Sequence, residues 1–189
     1  MYVKKRTVKE ESMPSTVTLR DAHEQTVARI SRQQRLLSQH ALPLVMVTTH
    51  LPKEIAHHSY AKEIYEIAFQ TVTDKLQELN TRIVNREITH SKTGNEATLV
   101  VAGIASSELK RAMIQIEKYH PLGMLMNIDI ISPDGKTLSR SASQMEARKC
   151  LLCDCAASYC ATAHSHTTAE IEAKVLELFD AYFTKDAVA

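Results

Sequence analysis

Four cysteines lie between Cys150 and Cys160, and His164 and His166 follow at once. The pair Cys150-Leu-Leu-Cys153 places two thiols on one turn, close enough to grip a single tetrahedral ion, and Zn²⁺ is satisfied by four Cys or His ligands. Cys150, Cys153, Cys160 and one of the two histidines complete such a set. In a loop-rich stretch the ion stands in for a missing core, because its binding energy becomes folding energy. The competing reading is a group of small buried hydrophobes, which is how free cysteines often behave. The residue types and spacings leave both open. A thioredoxin-like redox pair is the weaker alternative, since no βαβ pattern precedes Cys150.

A second constellation lies upstream. His120-Pro121-Leu122-Gly123 feeds the run Leu125-Met-Asn127-Ile-Asp129-Ile-Ile131. Side chains two apart on a strand face the same way, so Asn127 and Asp129 project together. Two oxygen ligands on one face, beside a glycine that allows close approach, resemble the carboxylate pair that holds Mg²⁺ against a phosphate. The plain alternative is a sheet with one wet face. Between this strand and the cysteines stand Arg140, Arg148 and Lys149. Arginine suits phosphate through its rigid donor fork, although surface cations of this kind commonly do no more than solvate.

These groups need elements to position them. Thr18 to Gln39 carries Leu19, Val27, Ile30 and Leu37 on a loose stripe and reads as a surface helix. Leu44 to Thr49 reads as a short buried strand. From Tyr60 to Leu79, Ile64, Ala68, Val72, Leu76 and Leu79 recur at spacings of three and four, the strongest helix in the chain. Arg82 to Thr89 and Ala97 to Gly103 form two strands of a hairpin joined by Lys92 to Glu96. Ser107 caps a helix with Leu109, Met113 and Ile116, which stops before His120-Pro121. Leu125 to Ile131 is a strand, and Lys136 to Leu138 a short return after the turn Ser132-Pro133-Asp134-Gly135. Ser139 to Ala163 reads as irregular. Thr167 with Glu170 makes a capping box for a last helix carrying Ile171, Val175, Leu178 and Tyr182. Helices interleaved with hairpins predict one α+β domain, with a mixed or antiparallel sheet, flanking helices and a Cys-rich loop near the C-terminus.

The whole composition excludes several classes. The chain has 189 residues, 44% apolar and 24% charged, as expected of one globular domain. With 23 basic against 22 acidic residues, no bulk field draws it to nucleic acid or an anionic membrane. No apolar run approaches a membrane span. The cysteines are clustered rather than spread as in a secreted scaffold, which predicts a cytoplasmic protein. Residues 1–13 read as a disordered extension and 14–186 as the single domain.

Taken together, HPLGMLMNIDIISPDGKTLSR, then RKCLLC, Cys160 and His166, resemble the holo-citrate lyase synthases, also called apo-citrate lyase phosphoribosyl-dephospho-CoA transferases. The similarity runs more weakly through Pro43-Leu-Val45, the Gly94 to Glu96 turn and the Glu108 to Glu117 helix. It implies a nucleotidyltransferase-type enzyme. Such an enzyme moves 2′-(5″-phosphoribosyl)-3′-dephospho-CoA from a triphosphate donor to a serine of the citrate lyase acyl-carrier subunit, and diphosphate leaves. The resemblance further implies Asp129 and Asn127 at a catalytic Mg²⁺, and His120, Gly123, Arg140, Arg148 and Lys149 around the substrate. It picks His166 as the fourth ligand of a structural Zn²⁺ with Cys150, Cys153 and Cys160.

The chain departs from the family pattern at several charged positions. Asn127 stands where an acid is usual, Met124 and Thr162 where arginines are usual, and Lys53-Glu54-Ile55-Ala56 replaces a Gly-Pro segment with a basic residue. Asn still ligates through oxygen but adds no negative charge. Two further expectations follow from these departures: a site rebuilt on Lys110, Arg111, Arg140 and Lys149, or a non-catalytic relative that binds the carrier subunit. A small zinc-binding regulatory domain is the third reading.

Overall fold

The computed structural model describes residues 18–141 and 146–186, so the predicted extension over 1–13 lies outside the described residues. Five strands form one antiparallel sheet in the order β2-β3-β1-β4-β5. They are β1 Leu44–Thr49, β2 Arg82–Ser91, β3 Gly94–Ala102, β4 Met126–Ile131 and β5 Thr137–Leu138. The helices are α1 Leu19–His40, α2 Ser59–Glu78, α3 Ser106–Tyr119, α4 Ala157–Ala163 and α5 Thr168–Asp186. From β1 to β4 the chain runs β-α-β-β-α-β, the split arrangement that sets both crossover helices on one face. The α+β class expected from the alternation of patterns is the class observed, and the sheet proves wholly antiparallel.

The main core fills the face covered by α2, α3 and α5. Val45, Val47, Leu99, Val101, Ile128 and Ile130 point from the sheet into Ile64, Val72, Leu109, Met113, Val175 and Phe179. The opposite face holds a small apolar patch, Leu36, Leu44, Met46, Val100 and Ile131, under the C-terminal end of α1. Alternation along β1 and β4 divides residues between the two faces, so Asn127 and Asp129 fall on the α1 side.

Several expectations are corrected. Three of the four residues of the stripe assigned to α1 are exposed, Leu19 at 84%, Val27 at 48% and Ile30 at 47%, whereas Leu37 packs beside buried Leu36 on the apolar patch. The helix turns its arginines, not that stripe, toward the sheet, because the strands beneath present carboxylates there. Thr18 caps it with Asp21 in a reciprocal capping box. Ser107 does not cap α3; Ala105 occupies the cap position without a side-chain bond. The hairpin turn is tighter than predicted, since Gly94, at φ +123°, already begins β3. Leu125 belongs to a 3₁₀ turn over Gly123–Leu125 rather than to the strand. The stretch read as irregular contains α4, which carries Cys160; with one buried residue, its apolar periodicity is too short to read. The capping box at Thr167 and Glu170 forms as expected, with Glu170 N–H donating to Thr167 Oγ1 at 3.2 Å and Thr167 N–H to Glu170 Oε2 at 2.8 Å.

Candidate functional site

The Cys-rich segment folds into a tight knuckle. Cys150 N–H donates to the Cys155 carbonyl at 2.8 Å, and Ala157 N–H donates to the Arg148 carbonyl at 2.8 Å. The sulfurs of Cys150, Cys153 and Cys160 and a ring nitrogen of His166 all lie within 4.8 Å of one another. Cys153 Sγ stands 3.5 Å from both Cys160 Sγ and His166 Nε2. A tetrahedral ion with bonds of about 2.0–2.3 Å spaces its ligands by roughly 3.3–3.8 Å, so these four could hold a metal ion. The Cys155 N–H directed at its sulfur, then His166, pull the Cys153 thiol down to about 6, which favours the thiolate that ligates. Burial pushes the Cys160 thiol up to about 12. All four cysteines are free thiols; Cys155 is exposed and stays outside the cluster, and so does His164, which ends α4 in the left-handed region.

The knuckle reaches the sheet through Arg148. β5 pairs only with Ile130 and Ile131, which leaves the outer edge of β4 open from Met126 to Ile128. Backbone groups there need partners, and buried Lys110 and Glu117 with half-buried Arg148 supply them. Arg148 Nη1 donates to the Met126 carbonyl at 2.8 Å, Glu117 Oε1 accepts from Ile128 N–H at 2.8 Å, and Lys110 Nζ donates to the Ile128 carbonyl at 3.0 Å. Glu117, whose side chain is 2% accessible, also pairs with Arg148 Nη2 at 2.6 Å and with Arg140. One carboxylate therefore fixes two of the arginines read from the sequence as phosphate partners. Burial pushes the Lys110 amine down from its ordinary value, against the pull of Asp129 and Glu117. Lys149 pairs with Asp154 at 3.0 Å on the exposed side of the knuckle.

His120 and Gly123 play local parts in this arrangement. His120 Nδ1 accepts the Leu122 N–H at 3.1 Å, which leaves Nε2 to carry the proton of the neutral ring. A Cβ at Gly123 would stand 2.6 Å from the carbonyls of Ile116 and Glu117, so only glycine lets the 3₁₀ turn pack against the end of α3. On the α1 face, Asn127 Nδ2 donates to Asp129 Oδ2 at 3.0 Å and to Thr48 Oγ1 at 3.1 Å. Both amide hydrogens are thus used, and the amide oxygen remains the ligand atom beside the carboxylate.

Two clefts flank the end of β1. The larger, about 410 Å³, lies between the 50–54 segment, the knuckle and the start of α5, and its wall includes His50, Met124, Lys149, Leu151 and Ile171. Burial, then Arg148 and Arg140, hold the His50 ring below its ordinary value. The smaller, about 210 Å³, opens between α1 and the sheet and is lined by Arg29, Thr48, Thr49, Lys53 and Glu96. Buried Glu96 takes ion pairs from both Arg29 and Arg32. The sequence reading missed this group. The available signal was the i, i+3, i+6 spacing of Arg29, Arg32 and Arg35, which sets three cations on one side of a helix.

Fold and site together define a small α+β protein with a metal-competent Cys/His knuckle and an Asn-Asp strand pair beside a cationic cleft. Residues 17–182 match the family model described as apo-citrate lyase phosphoribosyl-dephospho-CoA transferase, and the chain belongs to that family. It is 34% identical over 154 residues to a probable apo-citrate lyase phosphoribosyl-dephospho-CoA transferase of Vibrio cholerae serotype O1 (strain M66-2), covering 82% of this chain and 86% of that protein. Similarity to the Citrobacter koseri transferase is 30% over 160 residues, 85% of this chain and 84% of the relative. The Escherichia coli O1:K1 transferase is 31% identical over the same length and shares.

Proposed function

We propose that this chain transfers the phosphoribosyl-dephospho-CoA group from its triphosphate donor to a serine of the citrate lyase acyl-carrier subunit. The observation that carries this reading, beside family membership, is the Asn127–Asp129 pair projecting next to a cleft lined by Arg29 and Lys53. In the transfer the serine oxygen forms a bond to the phosphorus nearest the donor's ribose. The bond from that phosphorus to the departing diphosphate breaks, and the hydroxyl proton passes to solvent water. Asp129 and the Asn127 oxygen would hold Mg²⁺, which in such sites takes one or two carboxylate-side ligands plus phosphate oxygens and, when bound, neutralises phosphate charge. Lys149, at the wall of the larger cleft, supports a nucleotide position there. Arg140 and Arg148, anchored on Glu117, hold the β4 edge and set a positive field behind Asp129. The Cys150, Cys153, Cys160 and His166 cluster fits structural Zn²⁺, and four free thiols suit a reducing cytoplasm. No helix among the described residues is long and apolar enough to cross a membrane.

The test is to incubate the chain with apo carrier subunit, the triphosphate donor and Mg²⁺ and to weigh the carrier. A mass gain equal to the transferred group is expected; no gain, with an active relative as control, overturns the reading. A second reading, a carrier-binding relative without chemistry, is favoured by one contact: the Asn127 amide already satisfies Asp129 at 3.0 Å, which an acid at 127 would not do. If Asn127→Asp creates activity from none, that second reading holds for the native chain.

A further inference from the structure

The two clefts differ in chemistry and adjoin. Leu51 lines both, with His50 and Pro52 turned to the larger cleft and Thr48, Thr49 and Lys53 to the smaller. The smaller cleft is built for an anion. Arg29 and Lys53 bring two positive charges against the single carboxylate of Glu96, and a second guanidinium, Arg32, stands behind it. Glu96, 1% accessible, holds both guanidiniums in place before any ligand arrives, which lowers the ordering cost of binding. Arg29 keeps 41% of its side chain accessible while so anchored, leaving donors free. Thr48, Thr49, Thr93 and Gly94, the last at φ +123°, complete a polar lining suited to phosphate oxygens. Through Thr48 the cleft is hydrogen-bonded to Asn127, and through Asn127 to Asp129. The larger cleft has a different wall, with Leu51, Pro52, Met124, Leu151 and Ile171 supplying apolar surface, Lys149, paired with Asp154, one cation and Glu54 one anion.

We infer that one donor molecule lies across Leu51, its polyphosphate end in the cleft of Arg29, Lys53 and Glu96 and its long nucleotide arm in the larger cleft beside Lys149. This deepens the transferase reading and rests on it for the claim that a single molecule spans both clefts. The placement of the anion does not use Arg140 or Arg148, because Glu117 and the β4 edge already engage them.

Two probes separate the halves. Inorganic tripolyphosphate and dephospho-CoA are each titrated by calorimetry into the full chain, without Mg²⁺, at low salt. Arg29→Gln and Lys53→Gln are expected to weaken tripolyphosphate at least about tenfold and leave dephospho-CoA within twofold; Lys149→Gln is expected to do the reverse. Lys53 is exposed and outside every helix and strand, so its variant folds even if removal of Arg29 loosens α1. Native chain that does not bind tripolyphosphate, or variants at 29 and 53 that bind it unchanged, overturn the inference. The carrier mass assay separates this from the parent reading. Transfer with triphosphate binding indifferent to Arg29 and Lys53 removes only the donor placement. Correct binding with no carrier modified removes only the transferase.

Discussion

Glu117 is the residue on which most of the buried polar structure depends. It neutralises Arg140 and Arg148 and accepts the Ile128 N–H, with Lys110 close by. Glu117→Gln keeps the shape but leaves two arginines without their anion. Breaking a buried pair from one side costs about 3–5 kcal/mol, and urea unfolding at pH 7 should show a loss in that range. A loss under about 1 kcal/mol would mean that the pairs are solvated and structurally idle. Gly123→Ala tests a different force, close packing without charge. Its Cβ meets two backbone carbonyls at 2.6 Å, so the 3₁₀ turn must move, at about 1–3 kcal/mol. His120 introduces pH dependence. Burial holds its ring below the ordinary value of 6.5, and Nδ1 must stay unprotonated to accept the Leu122 N–H. Below that value the unfolded chain binds more protons than the native one, so stability falls as pH drops. Between pH 7.5 and 5.5 the native chain should lose more stability than His120→Asn, whose amide oxygen accepts the same bond without titrating. Equal losses would remove His120 as the cause.

At the scale of elements, the knuckle and α1 share little of the apolar core, Leu151 for the one and Leu36 with Leu37 for the other, and polar forces hold the rest. Of Cys150, Cys153, Cys160 and His166 only Cys160 is buried, and the knuckle meets the edge of β4 through Arg148. Its order should therefore depend on the ion. Removing metal with a chelator should speed amide exchange at Cys150, Ala157 and Cys160, and at Ile128 to a lesser degree, while α2 and β3 keep their protection. Unchanged exchange in the knuckle would show that the thiols pack without metal. α1 rests on Leu36 at one end and on the pairs of Arg29, Arg32 and Arg35 with Glu96 and Glu87 along the rest. Glu96→Gln should release the middle of that helix, seen as faster exchange over 25–34, because the guanidiniums lose the buried charge that seats them.

For the molecule as a whole, the split β-α-β-β-α-β plan explains the division of labour. Both crossover helices cover one face and bury the main core, so the other face is free to carry polar groups under α1. Metal removal should accordingly lower the melting temperature by several degrees, about 2–4 °C per kcal/mol for a chain of this size, with the far-ultraviolet signature of the sheet retained until the main transition. Collapse of the whole fold on chelation would place the ion in the core rather than beside it.

How much of this could be read from the chain depended on the range of the interactions. Periodicity is local, and it placed β1, α2 and β4 within a residue, while the Thr167–Glu170 capping box located the start of α5. The Cys/His cluster of the knuckle spans 17 residues; its cysteines stood out by spacing, while His166 rather than His164 was singled out only by the family resemblance. α4 was missed since seven residues around a single buried cysteine have no period, and most of the α1 stripe was misassigned because arginines face the sheet along the helix until Leu36 and Leu37 at its end. Glu117, Arg140 and Arg148 read separately as a helix residue and two phosphate binders; only the open edge of β4, set by how short β5 is, brings them together. Glu96 with Arg32 is the same case, 64 residues apart along the chain until the sheet forms. The sequence by itself determined the α+β class, the family and the chemistry on offer. The tertiary structure decided which charges are spent on one another and which face a cleft, because that depends on strand neighbours distant along the chain.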